Sequence, residues 1–120
     1  MIKGVHHIQI TIPKGKVEEG RAFYCTALGL EEIPKPEVLQ GRGGFWVNVG
    51  DRQVHVGTED QFDRMQTKAH IAYEVTAIEY WKKKLPTLGI DVIEAIPIPG
   101  FERFECRDPF GNRIEFIQKL

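Results

Sequence analysis

Residues 5–12 read Val-His-His-Ile-Gln-Ile-Thr-Ile, and residues 68–75 read Lys-Ala-His-Ile-Ala-Tyr-Glu-Val. Both stretches alternate, and each carries a histidine near its start, His7 and His70. In the first, Ile8, Ile10 and Ile12 share one face while His7, Gln9 and Thr11 share the other. In the second, Ile71, Tyr73 and Val75 oppose His70, Ala72 and Glu74. A period of two is the mark of a half-buried strand. The same parity turns His6 toward the apolar side and sets it apart from His7.

The segments after the two strands repeat as well. Pro13 and Gly15 end the first strand. Val17, Phe23 or Tyr24, Ala27 and Leu28 then fall at helical spacing, with Gly29 as the stop. Beyond a loop at Pro34 and Pro36, residues 45–49 and 53–57 read as short strands joined by the turn Gly50-Asp51-Arg52. In the second half, Ile78, Trp81, Leu85 and Leu88 predict a helix, with Pro86 in its last turn and Gly89 after it. Residues 90–93 read as a strand, and the loop Ile96-Pro97-Ile98-Pro99-Gly100 comes next. Strands over 101–106 and 113–118 flank the turn Asp108-Pro109-Phe110-Gly111-Asn112.

The spacings agree. His7 and His70 lie 63 positions apart; Leu28-Gly29-Leu30 and Leu88-Gly89-Ile90 lie 60 apart, as do His55 and Glu115. The chain is therefore expected to hold one βα unit with further strands, written twice, with modules at about 1–60 and about 67–120. A short repeat with one apolar face per sheet needs its twin to bury that face, so the two should form a single α+β domain.

Composition bounds the partners. A chain of 120 residues, 42% hydrophobic and 28% charged, suffices for one ordinary soluble domain. A net charge of −1 gives no electrostatic reason to expect nucleic acid or an anionic membrane. No uncharged stretch approaches the roughly 18 residues that span a bilayer, and no signal peptide is evident. Cys25 and Cys106 are too few for a disulfide framework or a zinc knuckle, and Cys25 has no basic neighbour to make it a nucleophile. A cytoplasmic, reduced setting is expected.

The polar strand positions carry the chemistry. His7 and His70 open the first strand of each half; His55, between Val54 and Val56, and Glu115, between Ile114 and Phe116, sit in the last. Alternation turns all four away from the helix side, toward the opposite, concave face. Imidazole and carboxylate suit a borderline divalent ion, and two histidines with one carboxylate leave positions open for water and substrate. His7, His70 and Glu115 are thus the candidate ligands. His55 is a fourth ligand, a hydrogen-bonding residue behind the others, or a substrate contact. Gln9, Glu74 and Arg113 share faces with the ligands, and Arg103 lies near the proline-rich loop, where it would suit an anionic group. These four are candidate substrate contacts. Trp46, Phe101 and Phe104 are read as core or as pocket wall.

Four segments resemble the vicinal oxygen chelate superfamily: Gly4-Val5-His6-His7-Ile8-Gln9-Ile10; Ala22-Phe23-Tyr24 with Leu28-Gly29-Leu30; Lys68-Ala69-His70-Ile71-Ala72; and, most specific, Asp108-Pro109-Phe110-Gly111-Asn112-Arg113-Ile114-Glu115. That superfamily includes glyoxalase I, fosfomycin- and bleomycin-resistance proteins, extradiol dioxygenases and methylmalonyl-CoA epimerase. The resemblance spans nearly the whole chain. It implies two βαβββ modules paired into a curved, cupped mixed sheet with helices outside, and His7, His70 and Glu115 around one divalent ion (Fe, Mn, Ni, Zn or Co). It also implies a homodimer and a small oxygen-bearing substrate on which the metal acts as Lewis acid. Pairing of modules within one chain or between two would equally bring the ligands together. The fourth family position, a glutamate in glyoxalase I, is His55 here, a departure from that pattern.

The resemblance implies one of three activities. One is a metal-dependent lyase, isomerase or thiol transferase of the glyoxalase or fosfomycin-resistance type. The second is a small non-haem iron ring-cleaving dioxygenase. The third is a metal-free drug-sequestering protein of the bleomycin-resistance type, against which the intact ligand set argues.

Overall fold

The computed structural model describes all 120 residues and divides them into two units, Met1–Phe62 and Asp63–Leu120. The first runs β1 (His7–Ile12), α1 (Val17–Arg21), a π-helical continuation (Ala22–Ala27), β2 (Glu31–Ile33), a 3-10 segment (Glu37–Arg42), β3 (Phe45–Val49) and β4 (Arg52–Thr58). Its sheet has the order β1-β4-β3-β2. β1 lies parallel to β4, and the other pairs are antiparallel. Ile12, Tyr24, Phe45, Val47, Val54 and Val56 are buried. Gly20 lets the helix press on this layer: a Cβ there would stand 2.8 Å from Ile12 Cδ1 and 3.1 Å from Phe45 Cε1.

The helix expected over 17–28 forms, yet its second half is π-helical. Leu28 N–H reaches back to Phe23 O at 2.9 Å. The wider turn lets the neighbours Phe23 and Tyr24 both bury, their rings edge-to-face at 4.9 Å.

The second unit runs through a 3-10 turn (Arg64–Gln66), β5 (His70–Glu74), α2 (Ile78–Thr87), β6 (Ile93–Glu94), β7 (Phe101–Arg107) and β8 (Arg113–Lys119). Its order is β5-β8-β7-β6, with β5 parallel to β8 and the remaining pairs antiparallel. Tyr73, Ile78, Leu85, Phe104, Cys106, Ile114 and Phe116 form its core. Trp81 sets α2 against the sheet, its ring 5.3 Å from that of Phe116. Ala77 offers no capping side chain, so Gln118 Oε1 accepts from Ile78 N–H at 2.8 Å instead. Between β7 and β8, buried Asp108 accepts from the N–H groups of Phe110 and Asn112 and from Asn112 Nδ2.

Both units are therefore βαβββ with a four-stranded mixed sheet, and the chain is α+β as its repeat predicts. Of the strand expected over 90–93 only Ile93 is in a strand, β6 (Ile93–Glu94), and Ile90 N–H stays bonded to Leu85 O at the helix end. β2 has no counterpart in the sequence pattern: at three residues, Glu31-Glu32-Ile33, it is too short to show a period. No helix is long and apolar enough to cross a membrane.

Candidate functional site

Register places the chemistry in matching positions. His7 pairs with Gln53 and Gln9 with His55 across β1 and β4; His70 pairs with Arg113 and Ala72 with Glu115 across β5 and β8. In each unit a histidine thus starts an edge strand, diagonal to a metal-capable residue on the interior strand. His55 and Glu115 are both 6% exposed, whereas His7 and His70 lie open.

In the first unit the site is a stack of rings. Trp46 and His55 are 2° from parallel with centroids 3.7 Å apart, and His55 and His7 are 15° from parallel at 4.0 Å. His55 Nε2 lies 3.0 Å from Gln53 Oε1, which can only accept, so the imidazole donates there. Burial first, then coulombic repulsion from His7, His6 and Lys35, pushes the His55 pKa down to about 4, so this ring stays neutral near pH 7. His6 lies before the strand begins, where parity no longer sets its direction. Its Nδ1 stands 3.0 Å from His7 Nδ1, so that nitrogen of His7 is engaged and Nε2 is the freer one.

In the second unit the site is a charged network. His70 Nδ1 lies 3.0 Å from the Lys68 carbonyl and so carries the proton it donates there. Its Nε2 stands 3.1 Å from Glu115 Oε1, and in a neutral ring it would present a lone pair there. Two acceptors facing each other need a proton or a cation between them. Their spacing suits neighbouring ligands of an ion held at about 2.1 Å from each, and nitrogen plus carboxylate oxygen is a fitting donor set for a divalent metal. Arg103 Nη1 lies 3.3 Å from Glu115 Oε1, while its Nε and Nη2 donate to the Ile96 carbonyl, which fixes the carboxylate from one side. Arg113 pairs with Glu105, and its Nε is buried without a partner.

Neither unit by itself gathers three His, Cys, Asp or Glu side chains suited to hold a metal; each brings two. Of the candidate substrate contacts, Gln9 lines a cavity in the first unit. Arg103 and Arg113 are committed to carboxylates, and Glu74 lies exposed at the end of β5. Sequence reasoning passed over Lys35 and Arg42, which line the same cavity as Gln9 and His7. Both belong to a proline-flanked stretch with no periodic signal; only the two cations seven positions apart marked it.

Comparison with known proteins agrees with this arrangement of strands. Among proteins of curated function none is significantly similar in sequence. A solved structure of a glyoxalase family protein from Bacillus anthracis is 44% identical, with a TM-score of 0.91 over 100% of this chain and 98% of that one. The fosfomycin resistance protein FosX from Listeria monocytogenes, solved with Mn(II) and sulfate, matches at 17% identity and a TM-score of 0.79, covering 100% of this chain and 93% of its own. A glyoxalase/dioxygenase from Nostoc punctiforme matches at 18% identity and 0.79, covering 98% and 92%. The last two show a shared fold. The model of the Glyoxalase/Bleomycin resistance protein/Dioxygenase superfamily matches residues 4–116, and with two βαβββ units in that span the chain belongs to this superfamily.

Proposed function

We propose that the protein is a divalent-metal-dependent enzyme of the glyoxalase and fosfomycin-resistance type, in which His7, His70 and Glu115 hold one ion and the two units work as one glyoxalase-like domain. The observation that carries it is the His70–Glu115 pair: His70, anchored through Nδ1 to the Lys68 carbonyl, sets Nε2 3.1 Å from a carboxylate oxygen, a nitrogen and an oxygen donor side by side. When bound, the ion supplies Lewis-acid help to a small oxygen-bearing substrate at its open positions. FosX, solved with Mn(II), supports the choice of a divalent ion.

The chain's own residues prepare that site. Lys68 O fixes the His70 tautomer, and Arg103 orients Glu115. His55 acts as a positioning residue. Rings stacked 15° from parallel at 4.0 Å keep their in-plane lone pairs in two nearly parallel, separate planes, so His7 and His55 do not converge on one ion. Pinned between Trp46 and His7 and bonded to Gln53, His55 holds the His7 ring in place. A homodimer is part of the proposal, supported by exposed Ile8 on β1, the edge strand of the first sheet, and by exposed Ile2 and Val5 in the segment before it.

Calorimetric titration of the metal-depleted protein with Mn²⁺, Ni²⁺ and Zn²⁺ tests this. One equivalent per chain is expected, with no oxygen uptake on adding catechols. Oxygen uptake would replace the proposal with ring cleavage, and the absence of saturable metal binding would leave drug sequestration.

A further inference from the structure

The first unit holds a cavity of about 400 Å³ whose lining includes Gln9, Lys35, Leu39, Arg42, Trp46 and His55. No Asp or Glu is among the residues that line it. Lys35 Nζ donates to the Gly43 carbonyl at 2.5 Å, which ties down the 3-10 segment and leaves two of its three N–H donors unspent. Arg42 has no hydrogen bond and no ion pair. Every other arginine of the chain has a partner: Arg21 on Glu32, Arg52 on Asp51, Arg103 on Glu115, Arg107 on the Gly111 carbonyl, Arg113 on Glu105, and Arg64 within its own contacts. Two cations beside one cavity without a carboxylate to answer them form a site of unbalanced positive charge. A guanidinium fork and an ammonium point charge are the pair that recognises an oxyanion.

We infer that this cavity takes the anionic end of a small organic molecule, a carboxylate or a phosphonate, with Lys35 and Arg42 as its cationic clamp and the carbon body against Leu39 and Trp46. That the molecule is the substrate rests on the metal-enzyme proposal above; the anion site itself stands on side chains of the first unit alone. The two arginines expected from the sequence, Arg113 by parity and Arg103 by its place near the proline-rich loop, are already neutralised by Glu105 and Glu115, which leaves the anion to Lys35 and Arg42.

The test uses the full chain, depleted of metal, titrated with phenylphosphonate, benzoate and inorganic phosphate while the indole N–H of Trp46 and the side-chain Nε–H of Arg42 are followed by NMR. Saturable binding of at least one organic anion is expected, with both signals moving. Lys35→Gln and Arg42→Gln should each weaken it about tenfold or more. The tighter of the two organic anions identifies the headgroup, and weaker binding of inorganic phosphate shows that the carbon body contributes. No saturable binding of either organic anion, or equal affinity in the double variant, overturns the inference. The metal titration is read separately: one equivalent of metal without anion binding removes only this inference, and anion binding without metal removes only the enzyme proposal.

Discussion

The two units share topology and register but differ in what their interior strands present. β4 sets His55 and Gln53 beside an edge histidine, and the result is a stack of rings beside an open, positively charged cavity. β8 sets Glu115 and Arg113 at the same places, and the result is a closed network in which two arginines and two carboxylates answer one another. One scaffold used twice thus separates two tasks. In the proposed reading the charged unit supplies half of an ion site, and the ring-lined unit keeps its cations for an anion arriving from solvent.

The largest expected effect breaks this contrast at its sharpest point. Glu115→Ala should lower Mn²⁺ affinity by about 100-fold or more, while His55→Ala, at the equivalent place in the first unit, should cost about tenfold or less, both read by calorimetry. Equal losses would make His55 a ligand.

The cores sharpen the comparison next. Phe104 and Val47 are both fully buried, on β7 and β3, the interior strands that pair with β8 and β4. Phe104→Ala should cost about 3–5 kcal/mol and Val47→Ala about 2 kcal/mol, as shifts of the urea midpoint. A smaller effect tests the segment that shapes the cavity. Gly44 has φ +81°, and a Cβ there would meet Val56 O at 2.1 Å; Gly29 has φ +76° and open space around it. Gly44→Ala should therefore cost about 2–3 kcal/mol and Gly29→Ala about 1 kcal/mol by the same measurement.

The smallest effect lies in the two cysteines. Burial pushes the Cys106 thiol up to about 12, and burial followed by the charge of Glu32 raises Cys25 more modestly. Raised values favour the thiol, so neither is reactive near pH 7, but Cys25 is part-exposed while Cys106 is fully buried. Mass spectrometry after alkylation at pH 9 should find Cys25 modified and Cys106 intact until urea opens the second unit.

Strand parity at β1, β4, β5 and β8 was legible because each strand is long enough to alternate, and Gly or Pro bounds β1, β4 and β8. The same parity brought His70 beside Glu115 and His7 beside His55. The features that stayed hidden depend on non-local contacts. The π-helical turn comes from burying Phe23 and Tyr24 together, and β2 is a strand only because β3 pairs with it. The 3-10 segment carrying Arg42 is held by Lys35 on Gly43 and by Gly44 against the β4 backbone, none of which leaves a period. Arg103 and Arg113 looked free because their carboxylate partners lie across strand pairs.

The central claim is that His7, His70 and Glu115 share one divalent ion. Counting Mn²⁺ bound per chain by electron paramagnetic resonance in the reconstituted protein and in its His7→Ala and His70→Ala variants tests it most directly. One equivalent is expected in the parent and none in either variant; unchanged binding in His70→Ala, or no stoichiometric Mn²⁺ in the parent, would contradict it.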